Sequence, residues 1–115
     1  MIYQHKELAA GRWLTFSLIE QMANVGSEVG RAINWKIKGH LPYSQKAFER
    51  ALELLDLTLA DRKNRGHLRE VARVREALVD YLAGVNEFSS TAEAWNKYFL
   101  HFAVAVRKAR QGVDL

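Results

Sequence analysis

Across residues 45–60 the chain carries leucine at positions 52, 54, 55, 57 and 59, interleaved with Ala47, Phe48, Ala51 and Thr58. Helical spacing puts Ala47, Phe48, Ala51, Leu54, Leu55 and Thr58 on one face, while Leu52, Leu57 and Leu59 carry apolar surface around the rest. Glu49, Arg50, Glu53 and Asp56 are too few to solvate what remains. A helix that is apolar on nearly every side needs partners on several sides. It is either the most central element of its fold or, in part, an interface between copies of the chain. The segment after it supplies one partner. Leu68, Val71, Ala72, Leu78, Val79 and Leu82, with Val74 and Tyr81 alongside, predict a helix over 67–82, joined to the first by a basic turn at 61–67.

The remaining segments carry the same period. Leu14, Leu18, Met22, Val25, Val29 and Ile33 recur in steps of three and four and predict a helix over 11–37, widened by Trp13, Phe16, Ile19 and Trp35. Gly26 and Gly30 lie inside it, each costing about 1 kcal/mol relative to alanine. Their spacing suits a second helix that approaches closely. In the connection after this helix, Gly39 ends one element and Pro42 stops its continuation. Ser44 is then read as the N-cap of a helix over 45–60, with Tyr43 stapled against Phe48. Gly84 is a cap residue for the third helix. Ser90 and Glu93 match a capping box that opens a fourth helix over 91–111, in which Trp95, Tyr98, Phe99, Phe102, Val106 and Ala109 fall at helical spacing before Gly112 closes it. No stretch alternates as a strand does. Short connections make successive helices antiparallel, so residues 1–115 are expected to form a single domain, an all-α, up-down antiparallel four-helix bundle.

At 115 residues, 49% of them hydrophobic and 26% charged, the chain can bury one core but not two. It has no cysteine, which removes disulfides and thiolate metal sites. The first residues lack the pattern of a secretory signal, and no apolar run approaches the roughly 18 residues that cross a bilayer. The expectation is a soluble cytoplasmic protein with no membrane contact. A net charge of +4 permits attraction to phosphates or acidic surfaces without demanding it.

Motifs specific to one reaction are missing. None of His5, His40, His67 and His101 follows a glutamate by three residues as a di-iron bundle requires. The pair His67 and Glu70 is too small for a metal site. No phosphate-binding loop or nucleophile elbow can be assembled, and no cofactor is expected. Arg62 and His67, with four residues between them, look like the Arg-x(4–6)-His pattern of HEPN-class ribonucleases, where arginine would hold a phosphate and histidine would transfer protons. The basic residues also read as a surface. In an up-down bundle the 61–67 turn shares an end with both chain termini, so Lys6, Arg12, Arg62, Lys63, Arg65, Arg69, Arg107, Lys108 and Arg110 would gather there against Glu7, Asp61, Glu70 and Asp114. Such a pole can hold a nucleic-acid backbone by counterion release. Arg107, Lys108 and Arg110 also suit a helix C-terminus without any ligand. Three tryptophans are more than so small a core should need. Trp13, Trp35 and Trp95, with Leu52 and Leu59, are therefore expected to form an interface between copies.

The segment Asn24-Val25-Gly26-Ser27-Glu28-Val29-Gly30-Arg31 resembles the Asn-Ile-Ala-Glu-Gly-x-x-Arg segment of small four-helix-bundle proteins encoded in 23S rRNA intervening sequences. Residues 47–57, where a phenylalanine precedes an alanine-leucine pair, are similar to the second helix of that family. The same superfamily includes the accessory variability determinant of diversity-generating retroelements, a basic homopentameric bundle that binds nucleic acid and partners a reverse transcriptase. The resemblance implies a self-associating protein without a catalytic centre, accessory to a ribonucleoprotein or reverse-transcriptase system. It also implies a nucleic-acid-binding role for Arg31. The alternatives are a HEPN-like ribonuclease using Arg62 and His67, and a protein-interaction scaffold that binds no nucleic acid.

Overall fold

The computed structural model describes residues 11–112, and every regular element among them is helical. A 3-10 turn, Arg12–Thr15, leads into α1 (Leu18–Ile37) and α2 (Leu41–Ala60). A second 3-10 turn, Arg62–His67, leads into α3 (Leu68–Ala83), and α4 (Ala92–Arg110) follows. α1 packs along both α2 and α4, and α3 packs on α2. Successive helices reverse direction: Gln21 near the start of α1 bonds Asp61 at the end of α2, and Ser17 shares a cleft with Arg110 at the end of α4. This is the up-down four-helix bundle that the apolar periods predict. None of the described helices is long and apolar enough to cross a membrane.

The core runs between the four helices. α1 contributes Met22, Val25, Val29, Ala32 and Ile33; α2 contributes Ala47, Phe48, Ala51, Leu54 and Leu55; Val71, Val74 and Leu78 come from α3, and Trp95 and Phe99 from α4. The surplus leucines of α2 find their cover inside the chain, since Leu52, Leu57 and Leu59 lie half-buried against this core. Two tryptophans expected at an interface between copies are core residues instead. Trp13 is 1% exposed and Trp95 is 9% exposed. The stripe of α3 is also shifted from the one read in the sequence, because Leu68 and Ala72 face solvent.

The helix ends depart from expectation at three serines. The first helix starts at Leu18, not near residue 11. Ser17 accepts from the Glu20 amide while the Glu20 carboxylate accepts from the Ser17 amide, a reciprocal cap that ends the preceding 3-10 turn. α2 starts at Leu41, earlier than the predicted 45. Pro42 occupies its first turn, where a missing N–H costs nothing, and so opens the helix rather than blocking it. Ser44 is therefore not a cap. Its buried hydroxyl donates to the Ala32 carbonyl at 2.7 Å and pins α2 to α1. Tyr43 is 57% exposed and cannot staple Phe48. At α4 the cap is Thr91, accepting from the Ala94 amide, and not Ser90.

The two glycines of α1 have different reasons for being there. A Cβ built on Gly26 would stand 2.7 Å from Phe99 Cβ, so α4 crosses α1 at a point only glycine allows. A Cβ on Gly30 would meet nothing within 4 Å. Gly26→Ala should therefore overpack the crossing and destabilise the fold by about 1–3 kcal/mol. Gly30→Ala should stabilise it by about 0.5–1 kcal/mol through helix propensity. Urea unfolding of the two variants should shift the midpoint in opposite directions.

Candidate nucleic-acid interface

Five buried polar side chains fix the end of the bundle where the basic turn lies. Asn64 donates to the Gln21 side-chain oxygen at 2.8 Å and to the Thr58 carbonyl at 3.0 Å. The Gln21 amide donates to Asp61 at 2.8 Å and to the Trp13 carbonyl at 3.0 Å. The Trp13 indole N–H donates to the Thr58 hydroxyl at 3.0 Å, and that hydroxyl donates to the Leu54 carbonyl at 2.8 Å. Asp61 caps the second 3-10 turn by accepting from the Lys63 amide, and it pairs with the Lys63 ammonium, which also donates to the Leu14 carbonyl. A single network thus joins both 3-10 turns, the start of α1 and the end of α2. Burial pushes the Asp61 carboxyl toward its neutral form. Hydrogen bonds from Lys63 and Gln21, with the Lys63 charge, outweigh that and hold its pKa below the usual carboxylate value.

With Asp61 and Asn64 turned inward, the rest of the turn faces out. Arg62, Lys63, Arg65 and His67 are exposed, as are Arg12, Arg69, Arg107, Lys108 and Arg110. Lys63 is committed to Asp61. Lys6 lies outside the described residues. Three arginines further along the bundle find carboxylates: Arg31 and Arg50 share Glu28, and Arg75 meets Asp56. Arg31 is thus drawn to Glu28 well along α1, away from the basic end. Among the described residues, Arg62, Arg65 and Arg69 form no such pair.

Neither does Arg73, which extends the series to 62, 65, 69 and 73 and which the sequence reading missed. The step of three puts Arg62 and Arg65 on one side of the 3-10 turn, and the step of four puts Arg69 and Arg73 on one side of α3, where like charges four apart cost about 0.2–0.5 kcal/mol. That spacing was the signal that could have found Arg73. Arg69 and Arg73 line an open cleft of about 450 Å³ with Gly66, His67, Glu70, Val74 and Tyr98. The Tyr98 hydroxyl is buried without a hydrogen-bond partner in the protein. Burial, and then the Glu70 charge, raise its pKa, so at neutral pH it is a protonated donor.

Arg62 and His67 occupy the two ends of the second 3-10 turn. At about three residues per turn, positions five apart lie on different sides. His67 Nδ1 stands 3.7 Å from a Glu70 oxygen. Among the described residues no three histidine, aspartate or glutamate side chains come together as a metal site. No family model matches the chain, and no curated protein or solved structure is detectably similar to it.

The lowered pKa of Asp61 fixes the sign of a pH effect. Its contribution to stability is fully present above the ordinary value of 3.8 and is lost as pH falls through the lower, folded value. Asp61→Asn should cost about 1–3 kcal/mol at pH 7, the range for a buried hydrogen-bonded group whose partner stays solvated. It should also flatten the acid limb of the stability curve, as followed by urea unfolding between pH 7 and pH 3.

Proposed function

We propose that the chain binds the phosphate backbone of RNA or DNA without reacting with it, using the arginine face at 62, 65, 69 and 73. Arg12, Arg107, Lys108 and Arg110 flank that face at the same end of the bundle. The observation that carries this reading is the lack of carboxylate partners for those four arginines among the described residues, whereas Arg31, Arg50 and Arg75, further along the bundle, are each paired. A face that accepts like-charge repulsion along its length is suited to an anionic partner. Guanidinium groups bind phosphate oxygens in a forked geometry, and their contacts carry no base sequence. The buried network keeps the turn in one conformation, so little ordering entropy is lost on binding.

The cleft beside Arg69 and Arg73 is too open to exclude water from a reaction. Arg62 and His67 also lack a shared face on which to handle one phosphate, which favours holding over cleaving. An accessory role in a ribonucleoprotein or reverse-transcriptase system agrees with this reading. In a self-associated form, several such faces would act together and raise avidity without any new contact.

Fluorescence anisotropy of labelled RNA at 50 and 200 mM salt tests the proposal. Affinity should fall steeply with salt, and Arg69→Ala with Arg73→Ala should reduce the logarithmic salt slope by about 2 while weakening all sequences alike. His67→Ala should change neither affinity nor the integrity of the RNA on a gel. Salt-independent binding, or none, would overturn the proposal.

A further inference from the structure

The opposite end of the bundle holds a second surface of different chemistry. Residues 29–48 contain no aspartate or glutamate, yet they include Arg31, Lys36, Lys38 and Lys46. Arg31 is taken up by Glu28, and the three lysines are exposed. Three rings cluster among them at the α1–α2 connection. Trp35 lies 4.9 Å from Tyr43 and 5.3 Å from His40, measured between centroids, and His40 lies 6.1 Å from Tyr43. Tyr43 is 57% exposed, His40 is exposed and Trp35 is half-buried. The Lys38 ammonium sits 5.4 Å from the Trp35 ring centroid.

The connection is rigid as well as aromatic. Gly39 turns at φ +80°, and Pro42 sits in the first turn of α2. The α3–α4 connection, at the same end, brings the exposed acids Glu87 and Glu93. Its Asp80 is spent on the Glu87 and Phe88 amides. A second copy of the chain is a poor occupant, because pairing two such tips would bring their lysines together. An anionic partner with planar faces fits both properties at once. Unpaired bases stack on exposed rings, and lysines beside the rings meet the phosphates between those bases. A duplex keeps its base faces stacked internally and cannot offer them.

We propose that the tip formed by Trp35, His40 and Tyr43 is a stacking platform for unpaired bases of single-stranded RNA or DNA, with Lys38 and Lys46 at the flanking phosphates. This rests on the nucleic-acid reading above and adds a preference for single strands. Tryptophan fluorescence tests it directly, since Trp13 and Trp95 are buried and Trp35 is the one indole near the platform. Titration with an oligouridylate should quench the emission, and an RNA duplex of equal length should not. Tyr43→Ala, at an exposed position, should weaken single-strand binding about tenfold and leave duplex binding unchanged, whereas Tyr43→Phe should keep the affinity. Arg69→Ala with Arg73→Ala should weaken both ligands and leave the single-strand quench in place at saturation. If duplex binding proves insensitive to salt while the quench persists, the arginine face fails and the platform stands. Equal quenching by both ligands, no quenching, or an unaltered Tyr43→Ala would overturn the platform.

Discussion

The buried hydrogen bonds among Gln21, Asp61 and Asn64 are the constraint on which the rest of this bundle's character depends. Each joins segments forty or more positions apart or closes the turn that separates α2 from α3. Polar groups taken out of water cost more unpaired than they return paired, so such a network holds together as a set. The consequence reaches the surface. With one side of the 62–67 turn fully engaged, its arginines have one direction left, and the cation-rich end is a by-product of how the inside is satisfied.

Trp13 belongs to the same logic. Its ring fills the base of the core while its N–H meets Thr58, a fully buried hydroxyl on the inner face of α2. An indole in that position closes the bundle end and completes the network in one residue. Packing and polarity are therefore not separate contributions here; removing the ring would open a cavity and take from the Thr58 hydroxyl the donor it accepts from.

Much of this architecture is written in the apolar periods. Leu18, Met22, Val25, Val29 and Ile33 announce α1, and Trp95, Phe99 and Phe102 announce α4, because steps of three and four have one simple reading. The ends were harder, for a physical reason. Trp13, Leu14 and Phe16 continue the period through a 3-10 turn, which hides the reciprocal cap of Ser17 and Glu20. Ser44 and Ser90 have the chemistry of a cap, but Pro42 makes a helix start possible four residues earlier, and Thr91 competes with its neighbour. The basic residues of the turn were legible as a group. The inward set was not, since Gln21, Asp61 and Asn64 are ordinary polar residues until tertiary structure brings their segments together. Nor does a period distinguish a tryptophan that closes a core from one that meets another chain.

α1 is twenty residues long and runs from the arginine-rich end to the aromatic tip, a distance of about 30 Å. A strand held at both ends must span that length along the outside of the bundle. Anything shorter settles at one end or the other and gains nothing from the second. If both surfaces bind as proposed, the length of this helix would set the reach a ligand needs, whatever its base sequence.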